Sequence, residues 1–364
     1  MTGFGGPPAH IQLLRALCVD RNGWLAATEF EDAVAACNLL PGPASTQLAI
    51  YCARRAGGWR GAVVGGLGFI VPGLVVILVL SALLLGPHPS RWVLGAAAAA
   101  GAVIPAVAVR AGLALMPASL LRARRATGMS WWVAAVVVGT VAAAIFGAWV
   151  AVALVGCGLI ALAHDEHARR SGRPLGAVAV AGIGTVSVGS GLALAWTALK
   201  VGALSYGGGF VIVPLMQADA VSHHWLTKTE FLGAVALGQI TPGPVVQTIA
   251  VVGYGAAGVV GGIAASAIAF APSFVFVLAG GRHFDRVRTN ARAQAFLAGA
   301  GPSAIGAILG SAVPLALALG AWWQVVVLAA GSIALLRQWS VVLVLVAAAT
   351  IGLALVAVGA PIPY

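Results

Sequence analysis

Apolar runs of bilayer-spanning length follow one another along nearly the whole of this chain, and no other feature limits its folding so strictly. Inside hydrocarbon every backbone amide and carbonyl must be satisfied by the protein itself, which leaves helices and closed barrels. The runs reach or exceed the roughly 20 residues that a spanning helix needs. Of 364 residues 61% are hydrophobic and 8% charged, and the mean hydropathy is +1.02. The chain therefore reads as an all-α polytopic membrane protein. Its opening, MTGFGGPPAHIQLLR, has no basic stretch followed by an apolar one, so a cleaved signal peptide is not expected.

Partner and enzyme classes narrow in the same way. The net charge of +11 comes from basic residues scattered over short loops, a matter of membrane topology and not a nucleic-acid surface. Cys18, Cys37, Cys52 and Cys157 lack paired spacing, so neither a metal site nor a disulfide framework is expected. Nothing matches GxxxxGK[ST], and GIGTVSVGSG (182–191) lies in an apolar run where helix packing explains its glycines. No cofactor is implied, and the spans hold no paired acid-base or nucleophile constellation of an enzyme.

The chain also contains one unit twice. GWLAATEFEDAVAACNLLPGP (23–43) lies over HWLTKTEFLGAVALGQITPGP (224–244), FGGPPAHI (4–11) over YGGGFVIV (206–213), and WWVAAVVVG from Trp131 answers WWQVVVLAAG from Trp322. Segments are expected near 3–20, 30–53, 60–86, 92–116, 131–146 and 148–163, then 203–220, 230–251, 258–279, 293–317, 322–336 and 339–360, with a joining segment at 177–199. This gives a first repeat over 1–163, a loop and linking helix over 164–202, and a second repeat over 203–364. Arginines alternate between matching loops: Arg54, Arg55 and Arg60 face an uncharged VVGYGAAG, whereas GGRHFDRVRTNAR answers GPHPSR, which holds only Arg91. Since basic residues gather on the cytoplasmic side, matching loops lie on opposite sides. Two inverted-topology halves with about 13 transmembrane or half-spanning helices result, an architecture of secondary transporters whose site lies where broken helices meet.

Two Pro-Gly-Pro triplets interrupt this pattern at matching places, Pro41, Gly42 and Pro43, and Pro242, Gly243 and Pro244. Proline removes an amide and clashes one turn back, and glycine tolerates angles that other residues avoid, so a helix unwinds there. Such backbone is tolerated at depth only around a protein-lined cavity. The half-helices that restart at Ala44-Ser45-Thr46-Gln47 and Val245-Val246-Gln247-Thr248 offer free amides and a positive dipole end to an anion. The alternative is that the prolines only kink their helices. The glycines of FGGP and YGGGF serve either close helix packing or backbone approach to a ligand.

FGGPPAHI, LPGPASTQ and the duplicated Pro-Gly-Pro region resemble the chromate ion transporter family in its long, two-domain form, over nearly the whole chain. That resemblance implies an inner-membrane, multi-pass protein that exports chromate, confers chromate resistance and handles sulfate as a related dianion. By motif it carries over Phe4, Gly5, Gly6, Pro7, His10, Pro41, Gly42, Pro43, Ser45 and Gln47, and in the second half Gly207, Gly208, Gly209, Pro242, Gly243 and Pro244. One departure stands out: GLALAWTALKVGALS leads into YGGGF, whereas the first half begins almost at its motif, which leaves the crossing at 3–20 open. Transport of sulfate or another oxyanion, or a non-transporting subunit, are the alternatives. Partners are the dianion and the lipid bilayer, with a homo-oligomer left open.

The remaining charges allow two readings each. Arg110 sits inside a span and serves as anion ligand or as interfacial anchor. Lys200 is read mainly as an anchor. His10 serves as donor or titrating group, or makes a structural hydrogen bond. Glu29 and Glu230, at matching positions, are read chiefly as helix N-terminal caps, with cation coupling as the minor reading.

Overall fold

The computed structural model describes residues 7–37, 42–126, 128–169, 190–205, 209–280 and 290–363. Among them there is no strand. Five helical stretches are long and apolar enough to cross a membrane: Ala44–Leu85, Arg91–Leu121, Met129–Phe146, Val245–Ala279 and Gln294–Leu317. The first half runs α1 (Pro7–Arg15) into a π turn (Ala16–Arg21), then α2 (Ala27–Cys37), α3 (Ala44–Leu85), α4 (Arg91–Ala102), α5 (Ile104–Ala126), α6 (Met129–Val141) and α7 (Val150–Arg169). After α8 (Ser190–Leu204) come α9 (Ile212–Ser222), α10 (Lys228–Ile240), α11 (Thr248–Gly280), α12 (Ala291–Leu317), α13 (Trp322–Leu336) and α14 (Val341–Ala357). Of the joining segment expected at 177–199, only 190–199 lies within the described residues, in α8.

The duplication is visible in backbone angles. Helix α3 reverses at Gly57 (φ −137°, ψ 24°) and Gly58 (φ 61°, ψ −150°). Helix α11 reverses at Ala257 (φ −154°, ψ 34°) and Gly258 (φ 62°, ψ −153°). Small differences in length are absorbed locally. Phe4 to Trp24 is one residue longer than Tyr206 to Trp225, and the first half carries a π turn where α9 is regular; a π turn is an α-helix with one residue inserted. From Pro244 to Gly258 the second half is one residue shorter than from Pro43 to Gly58. There the chain restarts as the 3₁₀ turn Val245–Gln247. Three residues at about 2.0 Å rise instead of about 1.5 Å recover roughly 1.5 Å, one α-helical residue.

Each Pro-Gly-Pro helix turns back to the face it came from. Arg55 Nε lies 2.6 Å from Glu29 Oε1, and Tyr51 Oη donates to the same oxygen at 3.1 Å, so the end of the 44–56 arm is level with the start of α2. In the second half Gly238 packs on Thr248, while Gly255 packs on Leu226 and the Trp225 carbonyl. The α2/44–56 pair and the α10/248–256 pair are thus re-entrant hairpins, with Gly42-Pro43 and Pro242-Gly243-Pro244 at their buried tips. The single crossings expected at 30–53 and 230–251 are corrected accordingly: each is two antiparallel half-spans. The full crossings of these regions are the second arms, 59–85 and 259–280.

Those second arms run antiparallel to each other. A Cβ on Gly66 would meet the Phe274 ring at 2.5 Å, and one on Gly262 would meet Leu78 Cδ2 at 2.5 Å. Arg54 Nη1 donates to the carbonyls of Val277 and Leu278. The face bearing Arg54, Arg55 and Arg60 is therefore the face where α11 ends, and the second half is inverted with respect to the first. Outward on 59–85, Val64, Leu67, Val71, Val75, Val79 and Leu83 form an exposed apolar stripe at helical spacing, suited to lipid. Inward, small residues let helices touch: Gly139 meets the Ser303 carbonyl and Gly306 the Val136 carbonyl, seating α12 against α6.

Candidate functional site

The two hairpin tips face each other in the interior. Gly42 and Gly243 have φ of +118° and +125°, a region that other residues rarely adopt, so the middle residue of each triplet is fixed by backbone geometry. Pro43 then opens the 44–56 arm: the amides of Thr46 and Gln47 both donate to its carbonyl at 3.0 Å. Pro244 opens the other arm, its carbonyl accepting from the Gln247 amide at 2.8 Å. Neither proline is a side-chain cap. The first-turn amides of Ala44, Ser45, Val245 and Val246 have no backbone partner among the described residues.

These first turns enclose a small cavity lined by His10, Pro43, Ala44, Ser45, Gly209, Pro244, Val245 and Val246. Both tips contribute, together with α1 through His10 and the start of the α9 segment through Gly209, whose φ is +92°. It has room for about one water molecule. No carboxylate lines it. Two helix N-termini with positive dipole ends, a histidine and a serine hydroxyl suit an anion, and this conformation is closed around too little space for a five-atom oxyanion.

The tips are locked across the halves in matching ways. Gly73, which follows Pro72 on the 59–85 arm, packs against the Pro242 carbonyl. Ser273, which follows Pro272 on 259–280, lies beside Gly42, where a Cβ would stand 3.3 Å from its Oγ. The Gly42 amide donates to the Ser205 carbonyl at 3.1 Å, which ties the first tip to the end of α8.

Of the residues expected at the site, His10, Pro43, Ser45, Gly209 and Pro244 line the cavity. Gly42, Pro242 and Gly243 form the turns behind it. Gln47, Gln247 and Thr248 are buried in the hairpins and are not among the lining residues: Gln247 Nε2 donates to the Ile70 carbonyl at 2.9 Å, and Thr248 Oγ1 to the Val245 carbonyl at 2.8 Å. Arg110 stands elsewhere, donating to the carbonyls of Leu335 and Trp339 at the end of α13. Gly5, Gly6, Pro41, Gly207 and Gly208 lie outside the described residues. Glu230 completes a capping box with Thr227, whereas Glu29 holds Arg55. Lys200, read as an anchor, is paired inside the protein: its Nζ lies 2.6 Å from Asp219 Oδ2.

Sequence reasoning missed Gly73, Ser205, Ser273 and Asp219. Two of them carried a signal, since Pro72-Gly73 and Pro272-Ser273 occupy matching places in the two long apolar runs. Asp219 carried another, a carboxylate within VIVPLMQADAV.

The chain is similar to known proteins over most of its length. A family model described as "Chromate transporter" matches residues 1–162 and 192–353. A "Chromate transport protein" of Pseudomonas aeruginosa is 30% identical over 335 residues, 87% of this chain and 78% of that protein. Another from Cupriavidus metallidurans is 29% identical over 326 residues, 86% of this chain and 79% of that one. A "Probable chromate transport protein" of Synechococcus elongatus is 27% identical over 328 residues, 86% and 81% of the two chains. No solved structure matches.

Proposed function

Because the chain belongs to the chromate transporter family, we propose that it is a secondary transporter that exports chromate across the inner membrane and so confers chromate resistance, with the dianion held between the two Pro-Gly-Pro tips. The observation that supports this most is the meeting of two helix N-termini, one from each inverted half, whose first amides have no backbone partner among the described residues, around one cavity with no carboxylate in its lining. The repeats 1–163 and 203–364, joined by 164–202, interlock through 59–85 with 259–280 and through α6 with α12, so alternating access moves groups of helices drawn from both repeats about that site. Arg54, Arg55 and Arg60, with the end of α11, mark the cytoplasmic face. Opening toward either face widens the cavity from one water's volume to that of the oxyanion.

The driving force needs no nucleotide. A dianion leaving an inside-negative cell gains about 4.6 kcal/mol per 100 mV, from about 2.3 for each charge. Sulfate shares the charge and tetrahedral shape of chromate and competes for the same amides. The test is flux: purified protein in proteoliposomes, with a potassium diffusion potential, takes up chromate faster than empty vesicles and is inhibited by sulfate. Absence of flux for either dianion sinks the reading.

A further inference from the structure

Asp219 is the only buried carboxylate among the described residues, 9% exposed. Its Oδ2 accepts from Lys200 Nζ at 2.6 Å and from Thr197 Oγ1 at 2.7 Å. The side chains of Lys200 and Asp219 are 16% and 13% exposed. The pair bridges α8 and α9, and Gly209, which lines the cavity, lies between these helices in sequence. Lys200 stands five residues before Ser205, whose carbonyl holds the Gly42 amide. On its other side Asp219 is one turn from His223, an exposed residue whose Nδ1 lies 2.9 Å from the Asp219 carbonyl. Neighbouring elements carry Lys228 and Glu230 on α10, Tyr254 on α11, His164 on α7 and Arg292 on α12. None of them bonds to the carboxylate, whose only charged partner among the described residues is Lys200.

The closed cavity makes this pair more than a brace. Room for an oxyanion requires elements around the cavity to shift, and Gly209, one of its lining residues, stands just before α9, one of the two helices that the pair joins. Separating a buried ion pair leaves an uncompensated charge, which is strongly unfavourable unless one partner is neutralised. We infer that Asp219 is a proton-exchange site coupled to oxyanion binding. Protonation converts the carboxylate to a neutral acid. The Lys200 ammonium keeps its own proton and turns toward the hairpin tips, about one and a half helical turns away, where it adds positive charge to the anion site. Release of the dianion returns Lys200 to Asp219, which gives up its proton. Proton and dianion thereby favour each other's binding, as reciprocal linkage demands.

This inference rests on oxyanion transport by the chain, and the test separates the two. Chromate binding to the purified full-length protein is titrated at several pH values for wild type, Asp219→Asn, Asp219→Glu and Lys200→Met, with thermal unfolding confirming that each is folded. Wild-type affinity is expected to fall about tenfold as pH rises. Asp219→Asn, neutral at every pH and able to keep the Thr197 hydrogen bond, should hold the low-pH affinity throughout. Asp219→Glu should restore the pH dependence, and Lys200→Met should bind weakly at all pH values. An Asp219→Asn profile parallel to wild type, or Lys200→Met binding as tightly as wild type, overturns the proton-exchange site and leaves transport standing. No chromate binding by wild type at any pH overturns both. Comparison with the variant cancels the protonation of chromate itself.

Discussion

Gly73 of the first half lies with its bare Cα against the carbonyl of Pro242 in the second. That contact joins the spanning arm of one repeat to the hairpin tip of the other, and Ser273 beside Gly42 is its counterpart. A methyl group at Gly73 would overlap that carbonyl, so Gly73→Ala forces the tip outward. Overpacking of this kind costs about 1–3 kcal/mol. Thermal unfolding of Gly73→Ala should show that loss together with impaired chromate flux, whereas Ser273→Gly, which removes atoms, should keep flux near wild type.

Gly42 and Gly243 share a positive φ but not the same surroundings. A Cβ at Gly42 would stand 2.5 Å from Gln47 Nε2, whereas one at Gly243 would come no closer than 3.1 Å to Gln247 Oε1. Both alanine variants bear the strain of the left-handed region, roughly 1–2 kcal/mol. Gly42→Ala should be the less stable of the two. Equal melting temperatures would mean that the crowding around Gly42 relaxes freely.

Arg110 caps carbonyls at the end of α13 and is absent from the cavity lining. Arg110→Gln should therefore lower stability by about 1 kcal/mol and leave chromate affinity within about twofold of wild type, below the tenfold that 1.4 kcal/mol represents. A larger drop in affinity in a folded variant would return Arg110 to the site.

The hairpins make a topological prediction. Single cysteines at Asn22 and Gly57, in a background without native cysteines, should react with an impermeant reagent from one face. Cysteines at His223 and Gly258 should react from the other. Labelling of Asn22 and Gly57 from opposite faces would restore the single broken crossing.

That last point marks how far the sequence could be read. The duplication, the inversion and the pairing of the Pro-Gly-Pro breaks were legible because they depend on local composition: apolar runs, arginines in alternate loops, and two triplets in register. The re-entrant path was not. FEDAVAACNLLPGPASTQLAIYCA has the length of a crossing, and hydropathy carries no direction; only the tertiary pairs Glu29 with Arg55 and Leu226 with Gly255 reverse it. The donors Gln47, Gln247 and Thr248 were named for their chemistry, and none of them is in the cavity lining: Thr248 bonds within its own turn and Gln247 reaches the Ile70 carbonyl of the other half. Whether a polar side chain near a break faces a cavity or a neighbouring helix depends on helix rotation, which adjoining residues in sequence do not set. Ser45 stands at its break by sequence alone, whereas His10 and Gly209, which the sequence sets beside the glycine motifs, reach the tips only through tertiary packing.

The central claim is that both inverted halves build one anion site. Equilibrium binding of radiolabelled chromate to purified protein tests it, using wild type and two variants that fill the cavity from opposite halves, Ser45→Leu and Val246→Phe, each first shown to be folded by thermal unfolding. The account predicts one chromate per chain for wild type and loss of that single site in either variant alone. Two equivalents per chain, or full binding retained by either folded variant, would contradict it.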